Sequence, residues 1–147
     1  MTTEIITNGN IKKAIKELKP NKIAVAYIGA DWEKYIDQDT LKELEIILSP
    51  TIGSNPQAIH SLVKKIKGGW NNVHFLTKLH AKFYLGNEAA ILGSFNLSGN
   101  GFEVYGLEEI GVKIIEEKPR KTLDDEFERL KTEAKNEFET EKAKKSS

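Results

Sequence analysis

Two rhythms of apolar residues run through this chain. Ile11, Ala14, Ile15 and Leu18 recur at the three-to-four spacing of one helix face, with Asn10 placed to cap it and Pro20 to stop it. Ala58, Leu62, Val63 and Ile66 repeat that spacing behind Asn55-Pro56, a cap followed by a helix-starting proline, and Gly68-Gly69 closes the segment. The second rhythm is a series of short apolar runs with strand character: Lys22–Ile28, Glu45–Leu48, Val73–Leu76, His80–Leu85, Ala89–Leu92 and Leu107–Ile115. Asp39 or Thr40 opens a brief turn or helix, Pro50–Gly53 reads as a loop, and Gly86-Asn87 folds the fourth run back on the fifth as a hairpin. After Pro119 the character changes. Thr122 and Asp125 fit a capping box, and Leu123, Phe127, Leu130, Ala134 and Phe138 form a narrow apolar stripe on a helix otherwise dense in Lys and Glu. Residues 143–147 are expected to fray.

Strands alternating with helices, then a hairpin, predict an α/β fold: a mixed β-sheet flanked by helices, with a C-terminal amphipathic helix. Residues 1–118 form the main domain. The segment 119–147 packs on that same domain or on a second subunit.

Composition narrows the picture. A chain of 147 residues suits one domain with a real core. The absence of cysteine excludes disulfides and thiolate metal sites. No apolar run approaches the roughly 20 residues of a membrane span. The start, MTTEIITNGN, lacks the basic and apolar stretches of a secretory signal, so a cytoplasmic protein is expected. Lys and Arg together number 22, as do Asp and Glu, yet this balance hides an asymmetry. Between Ile46 and Asn87 there is no acidic residue, while Lys64, Lys65, Lys67, Lys78, Lys82 and all three histidines fall there. Such a stretch favours an anionic partner.

Within it lies the chemistry. Strand alternation puts His80, Lys82 and Tyr84 on one face, so a histidine and a fixed cation share a space. The next run leads directly into Gly93-Ser94-Phe95-Asn96. His-x-Lys followed at this distance by Gly-Ser-x-Asn resembles the signature of the phospholipase D superfamily, and Glu109-Ile110-Gly111-Val112 is similar to the Glu-Leu-Gly-Val strand that follows it in many members. The sequence departs from the pattern at Asn87, where the family usually has Asp. The close match runs from about Leu79 to Ile114; upstream only the order of strands and helices agrees.

The resemblance implies a phosphodiesterase without a cofactor or metal: His80 as nucleophile, forming a phosphohistidine, Glu109 as its orienting carboxylate, Lys82 and Asn96 as donors to nonbridging phosphate oxygens, and Ser94 with the amides around Gly93 shaping the phosphate pocket. The reaction also needs a general acid. Members with one motif per chain meet this need as homodimers, so the resemblance implies a composite site in which the second subunit's His80 is the acid. The expected partner is nucleic acid, DNA ahead of RNA, with no membrane contact. Two other readings stay open: a lipid or small-molecule phosphodiesterase, and a non-catalytic module that holds nucleic acid in the same pocket. His60 and His74 have no ligand spacing and no expected chemical role. Trp32, Trp70 and Phe102 read either as core aromatics or as the wall of a base-stacking groove.

Overall fold

A computed structural model describes the protein over residues 3–50, 55–103 and 106–145. In chain order the strands are β1 (Glu4–Thr7), β2 (Lys22–Ala24), β3 (Glu45–Leu48), β4 (Val73–Phe75), β5 (Phe83–Leu85), β6 (Ala90–Gly93) and β7 (Ile110–Ile114). The helices are α1 (Ile11–Leu18), α2 (Gln38–Leu41), α3 (Pro56–Lys65), α4 (Gly99–Phe102), α5 (Glu117–Glu137) and α6 (Glu141–Lys145), with single 3₁₀ turns at Trp32–Tyr35 and Gly69–Asn72. The strands form one seven-stranded sheet in the order β1-β7-β6-β5-β2-β3-β4. β2, β3 and β4 run parallel and the remaining neighbours antiparallel, which is the mixed sheet expected.

Each face of the sheet has its own core. On one, α1, α3 and the Trp32–Tyr35 turn bury Ile23, Ile46, Val73, Tyr84 and Ile91. On the other, α5 presses Phe127, Leu130 and Ala134 onto Ala24, Ile47 and Phe83. The apolar stripe of α5 is therefore used within its own chain. α5 packs against β3, β4 and β5, and its cluster reaches Ala90 at the start of β6. Ile5, Leu92 and Ile110 stay exposed.

α1, α3 and β3 form where the apolar spacing puts them. Ile11, Ala14, Ile15 and Leu18 are all buried, and Asn55 Oδ1 accepts from the Gln57 and Ala58 amides as a true cap. Asn10 is different: its Oδ1 accepts from Thr7 N–H at 2.8 Å, tying β1 to the helix start instead of capping α1.

Other expectations change. β1 has no counterpart in the apolar pattern: four residues at a sheet edge, with one side chain buried, carry little periodic signal. The strand read as Lys22–Ile28 ends at Ala24, because Asn96 takes the amides of Ala26 and Tyr27. α5 begins at Glu117, ahead of Pro119, since a proline in the first helical turn forfeits no intrahelical bond. The Thr122–Asp125 box is unused: Thr122 bonds the Lys118 carbonyl and Asp125 pairs with Lys121. Residues 143–145 are helical rather than frayed, with Lys144 Nζ donating to the Trp70 carbonyl at 2.6 Å. The loop expected over Pro50–Gly53 lies, past Pro50, outside the described residues.

Candidate active site

The site is built at the end of the sheet where β2 stops and β5 starts. Leaving β4, the chain turns at Thr77–Lys78, where Ser49 Oγ donates to the Thr77 carbonyl at 3.0 Å. Leu76 and Leu79 are buried under α5, so the segment between β4 and β5 is held from below while His80 and Ala81 stay exposed. β5 itself is shorter than expected, and His80 and Lys82 precede its first residue. Pairing still reaches them, because Gly93 N–H donates to the Lys82 carbonyl at 3.2 Å. Alternation holds as predicted. Tyr84 is buried, with its hydroxyl donating to the Phe95 carbonyl at 3.0 Å, and this bond fixes the strand against the Gly-Ser-x-Asn turn.

Lys82 is 9% exposed, and its Nζ lies 3.2 Å from Nε2 and 3.4 Å from Nδ1 of His80. The imidazole and the ammonium therefore share one space, as strand alternation implies. Burial lowers the Lys82 ammonium below its usual value, and the charge of Glu109 works against that fall. Glu109 shows the mirror image: burial raises its carboxyl, opposed by Lys82 and by a hydrogen bond from Ser94. The two charges steady each other in a half-buried place.

Asn96 is the most firmly placed member. Its Oδ1 accepts from Ala26 N–H at 2.9 Å and from Tyr27 N–H at 3.2 Å. Two donors at the oxygen fix the orientation of the amide, and its NH₂ is left without a partner among the described residues. The rest of the turn is bolted down alongside. Gly29 N–H donates to the Leu97 carbonyl at 3.0 Å, and Asp31 accepts from Gly99 N–H at 3.0 Å. Glu103, which the sequence does not single out, accepts from the Tyr35 hydroxyl at 2.7 Å and pairs with Lys12 at 2.9 Å, joining the end of α4 to α1.

Glu109, Gly93 and Ser94 are held by neighbours in their own chain. Glu109 is expected to orient His80. It makes no hydrogen bond or ion pair with His80 among the described residues; its field falls on Lys82, and its backbone N–H goes to Asn8 Oδ1 at 2.8 Å. Ser94 and the amides around Gly93 are expected to shape the pocket or contact phosphate. The Gly93 and Ser94 amides are committed to the Lys82 and Ile110 carbonyls, and Ser94 Oγ accepts from Ile110 N–H at 3.1 Å. The one proton of Ser94 Oγ faces the Ile110 carbonyl and the Glu109 carboxylate. Both residues frame the site. Gly93 has to be glycine, since a Cβ there would meet Gly111 Cα at 2.5 Å and the Ile110 carbonyl at 2.7 Å. Asn87, the departure from the family pattern, lies at the far end of β5, where it accepts from Asn21 Nδ2 at 3.0 Å and from Arg120. It ties the hairpin tip and takes no part in the site.

The other histidines divide. His60 is exposed on α3. His74 is 1% exposed, with Nε2 at 2.8 Å from Glu45 Oε2, and burial lowers its pKa despite that carboxylate. A neutral ring donating from Nε2 leaves Nδ1 bare, and Nδ1 is indeed buried without a partner. Trp32 and Phe102 are core aromatics, whereas Trp70 is only half buried. Among the described residues no three His, Asp or Glu side chains gather to hold a metal ion.

No protein-family model and no curated protein matches the chain. Solved structures do. A phospholipase D family member, Nuc from Salmonella typhimurium, matches with a TM-score of 0.64 and 13% identity over 88% of this chain and 93% of its own. NucT from Helicobacter pylori matches with a TM-score of 0.62 and 15% identity over 88% of this chain and 94% of its own. TrmBL2, an archaeal chromatin protein described as having a novel mode of DNA binding, matches with a TM-score of 0.53 and 13% identity; 88% of this chain covers 51% of that one. Identities this low speak for the shared architecture, and the mixed seven-stranded sheet with helices on both faces is accordingly the phospholipase D fold.

Proposed function

We propose that this protein is a metal-independent phosphodiesterase that cleaves nucleic acid as an endonuclease, through a phosphohistidine at a site shared by two subunits. The observation that carries the reading is the His80–Lys82–Asn96 constellation: a ring nitrogen within reach of an ammonium, beside an amide whose NH₂ is left free by two bonds to its oxygen.

In this reading a His80 nitrogen attacks phosphorus and forms a P–N bond while the P–O bond to the leaving nucleoside breaks. The leaving oxygen takes a proton from the second subunit's imidazole. Water then attacks phosphorus, the P–N bond breaks, and the water's proton passes to that same second imidazole. Lys82 Nζ and Asn96 Nδ2 hold the nonbridging oxygens as their charge grows, which is the charge a metal ion would otherwise meet. Glu109 acts through Lys82, keeping the ammonium charged against its burial.

Each chain brings one such histidine, so the second acid comes from a second copy. The exposed apolar residues of β1, β7 and β6 suit that copy. Ile5 is 57% exposed, Ile110 61% and Leu92 38%, and the Ile110 backbone is bonded to Ser94 at the site's rim. A two-fold contact there buries the patch and brings the two sites together.

The lipid reading loses its candidate surface, because the apolar stripe of α5 is buried against the sheet. A non-catalytic module draws support from the likeness to TrmBL2. Plasmid and labelled single strands incubated in EDTA, beside His80→Ala, separate the readings. A nuclease cleaves in EDTA and loses turnover in the variant. A binding module cleaves neither substrate, and the variant holds both as well as the wild type does.

A further inference from the structure

Away from His80, a cavity of about 220 Å³ opens between α3, α6 and the end of β4. Ile59, Trp70 and Phe75 form its apolar wall, with His60, Lys144 and Lys145 at its rim, and among the described residues no acidic side chain lines it. The Trp70 ring meets Phe75 edge-on at 6.1 Å, and its backbone carbonyl is held by Lys144, so the indole stands on a fixed frame. Trp70 Nε1–H and the His60 ring have no hydrogen-bond partner among the described residues. Among the described residues Lys145 is paired only with Glu141, at 3.0 Å, with both side chains more than half exposed. A pair of that kind exchanges partners at little cost.

Register places this cavity relative to the candidate site. Phe75 is opposite Leu48 in the β3–β4 pair. Ile23 is opposite both Ile46 and Tyr84, so two residues further on Val25 falls between Leu48 and Lys82. Phe75, Leu48, Val25 and Lys82 therefore make one row on one face, at the same end of the sheet. Three strand spacings of about 4.8 Å put the cavity about 14 Å from Lys82. A strand of stacked nucleotides covers that distance in about four residues of about 3.4 Å each, and an extended strand in fewer.

We propose that the cavity over Trp70 holds a nucleobase of the bound strand, three or four nucleotides from the phosphate at His80. The base stacks on the indole, its polar edge meets Trp70 Nε1–H and His60, and the adjoining phosphate replaces Glu141 at Lys145. The proposal rests on the nucleic-acid reading of the site but not on catalysis there. It predicts that affinity depends on length, rising once a strand is long enough to span the row.

The two tryptophans make the test direct. Trp32 is 1% exposed within the core, so a ligand-induced change in emission reports on Trp70. The full chain with His80→Ala, which keeps the strand intact, is titrated with a twelve-nucleotide thymidine strand and with a dinucleotide, following both tryptophan emission and the anisotropy of a labelled strand. The longer strand quenches Trp70 and the dinucleotide does not. Trp70→Leu in the same background weakens the longer strand about tenfold, the usual effect of losing one stacking platform. Where Trp70→Leu disturbs folding, His60→Glu on the exposed face of α3 weakens the same strand by a similar factor. Binding of the long strand without quenching, or with the affinity unchanged in both variants, overturns the pocket and leaves the nuclease reading standing. Quenching by a strand that the wild-type protein never cleaves overturns the nuclease reading and leaves the pocket.

Discussion

Asn96 offers the sharpest separation of fold from chemistry, because its two ends do different work. Its oxygen receives the Ala26 and Tyr27 amides at 2.9 and 3.2 Å, and its nitrogen is the proposed phosphate donor. Asn96→Ala removes both functions. Two backbone donors lose their acceptor, at about 1–2 kcal/mol each, so the variant loses roughly 2–4 kcal/mol of stability. For a chain of this size that is a fall in Tm of roughly 5–15 °C. Asn96→Asp keeps an oxygen at the same place, and a charged acceptor strengthens both bonds, so its melting point stays at or above that of the wild type. It loses the NH₂ and sets a negative charge beside an incoming phosphate, so its cleavage rate falls on the order of 10²–10³-fold or more. Circular-dichroism melting and plasmid cleavage on the same preparations read the two effects. An Asp variant that melts as low as the Ala variant would refute the placement of the oxygen. An Asp variant that cleaves at the wild-type rate would refute the role of the nitrogen.

Three further outcomes follow from the same structure. Burial pushes the Glu45 carboxyl up, but hydrogen bonds from His74 and Lys131 outweigh it and bring the group from 4.5 down to about 2. A depressed carboxylate stabilises the fold above pH 4.5 and loses that contribution as pH falls toward 2, by roughly 3 kcal/mol at about 1.4 kcal/mol per unit; Glu45→Gln therefore flattens the acid limb of stability measured by urea unfolding across that window, and an unchanged limb refutes the coupling. Gly93→Ala puts a methyl group onto the Gly111 and Ile110 backbones and costs about 1–3 kcal/mol in thermal unfolding, whereas a neutral substitution would show that β6 and β7 are less closely packed than they stand here. Ile5→Lys, on an exposed edge strand, leaves the monomer's stability within about 0.5 kcal/mol but splits the proposed dimer in analytical ultracentrifugation and takes cleavage with it; a variant that stays dimeric moves the interface elsewhere.

The elements legible in the sequence are those whose burial repeats along the chain. α1 and α3 bury one face at helical spacing, and β3 is a compact apolar run, so pattern and structure agree. Where they part, a distant partner decides. Val25 and Ile28 are as buried as any core strand residue, yet the ladder stops before them because a side chain about 70 positions away takes the amides of Ala26 and Tyr27. β1 exists because β7 gives it an antiparallel partner, not because EIIT announces a strand. At the site, His80 lies against Lys82, Gly93 is bonded to Lys82, and Asn96 to Ala26 and Tyr27. The division of labour among them is hidden in the sequence, because whether Glu109 faces His80 or Lys82, and whether Ser94 offers its amide or uses it, depends on the register of β6 against β7.

The hairpin of β5 and β6 is anchored at its tip and at its middle. Its tip is tied through Asn87 to Asn21 and Arg120, and its middle by the buried Tyr84 hydroxyl. A strand pair held this way moves as a stiff bar, so the site has no means of opening by splaying it. Amide exchange along the motif should therefore be slowest at Tyr84 and Ile91 and quicken outward on both sides. Substrate therefore meets strands that keep their distances throughout.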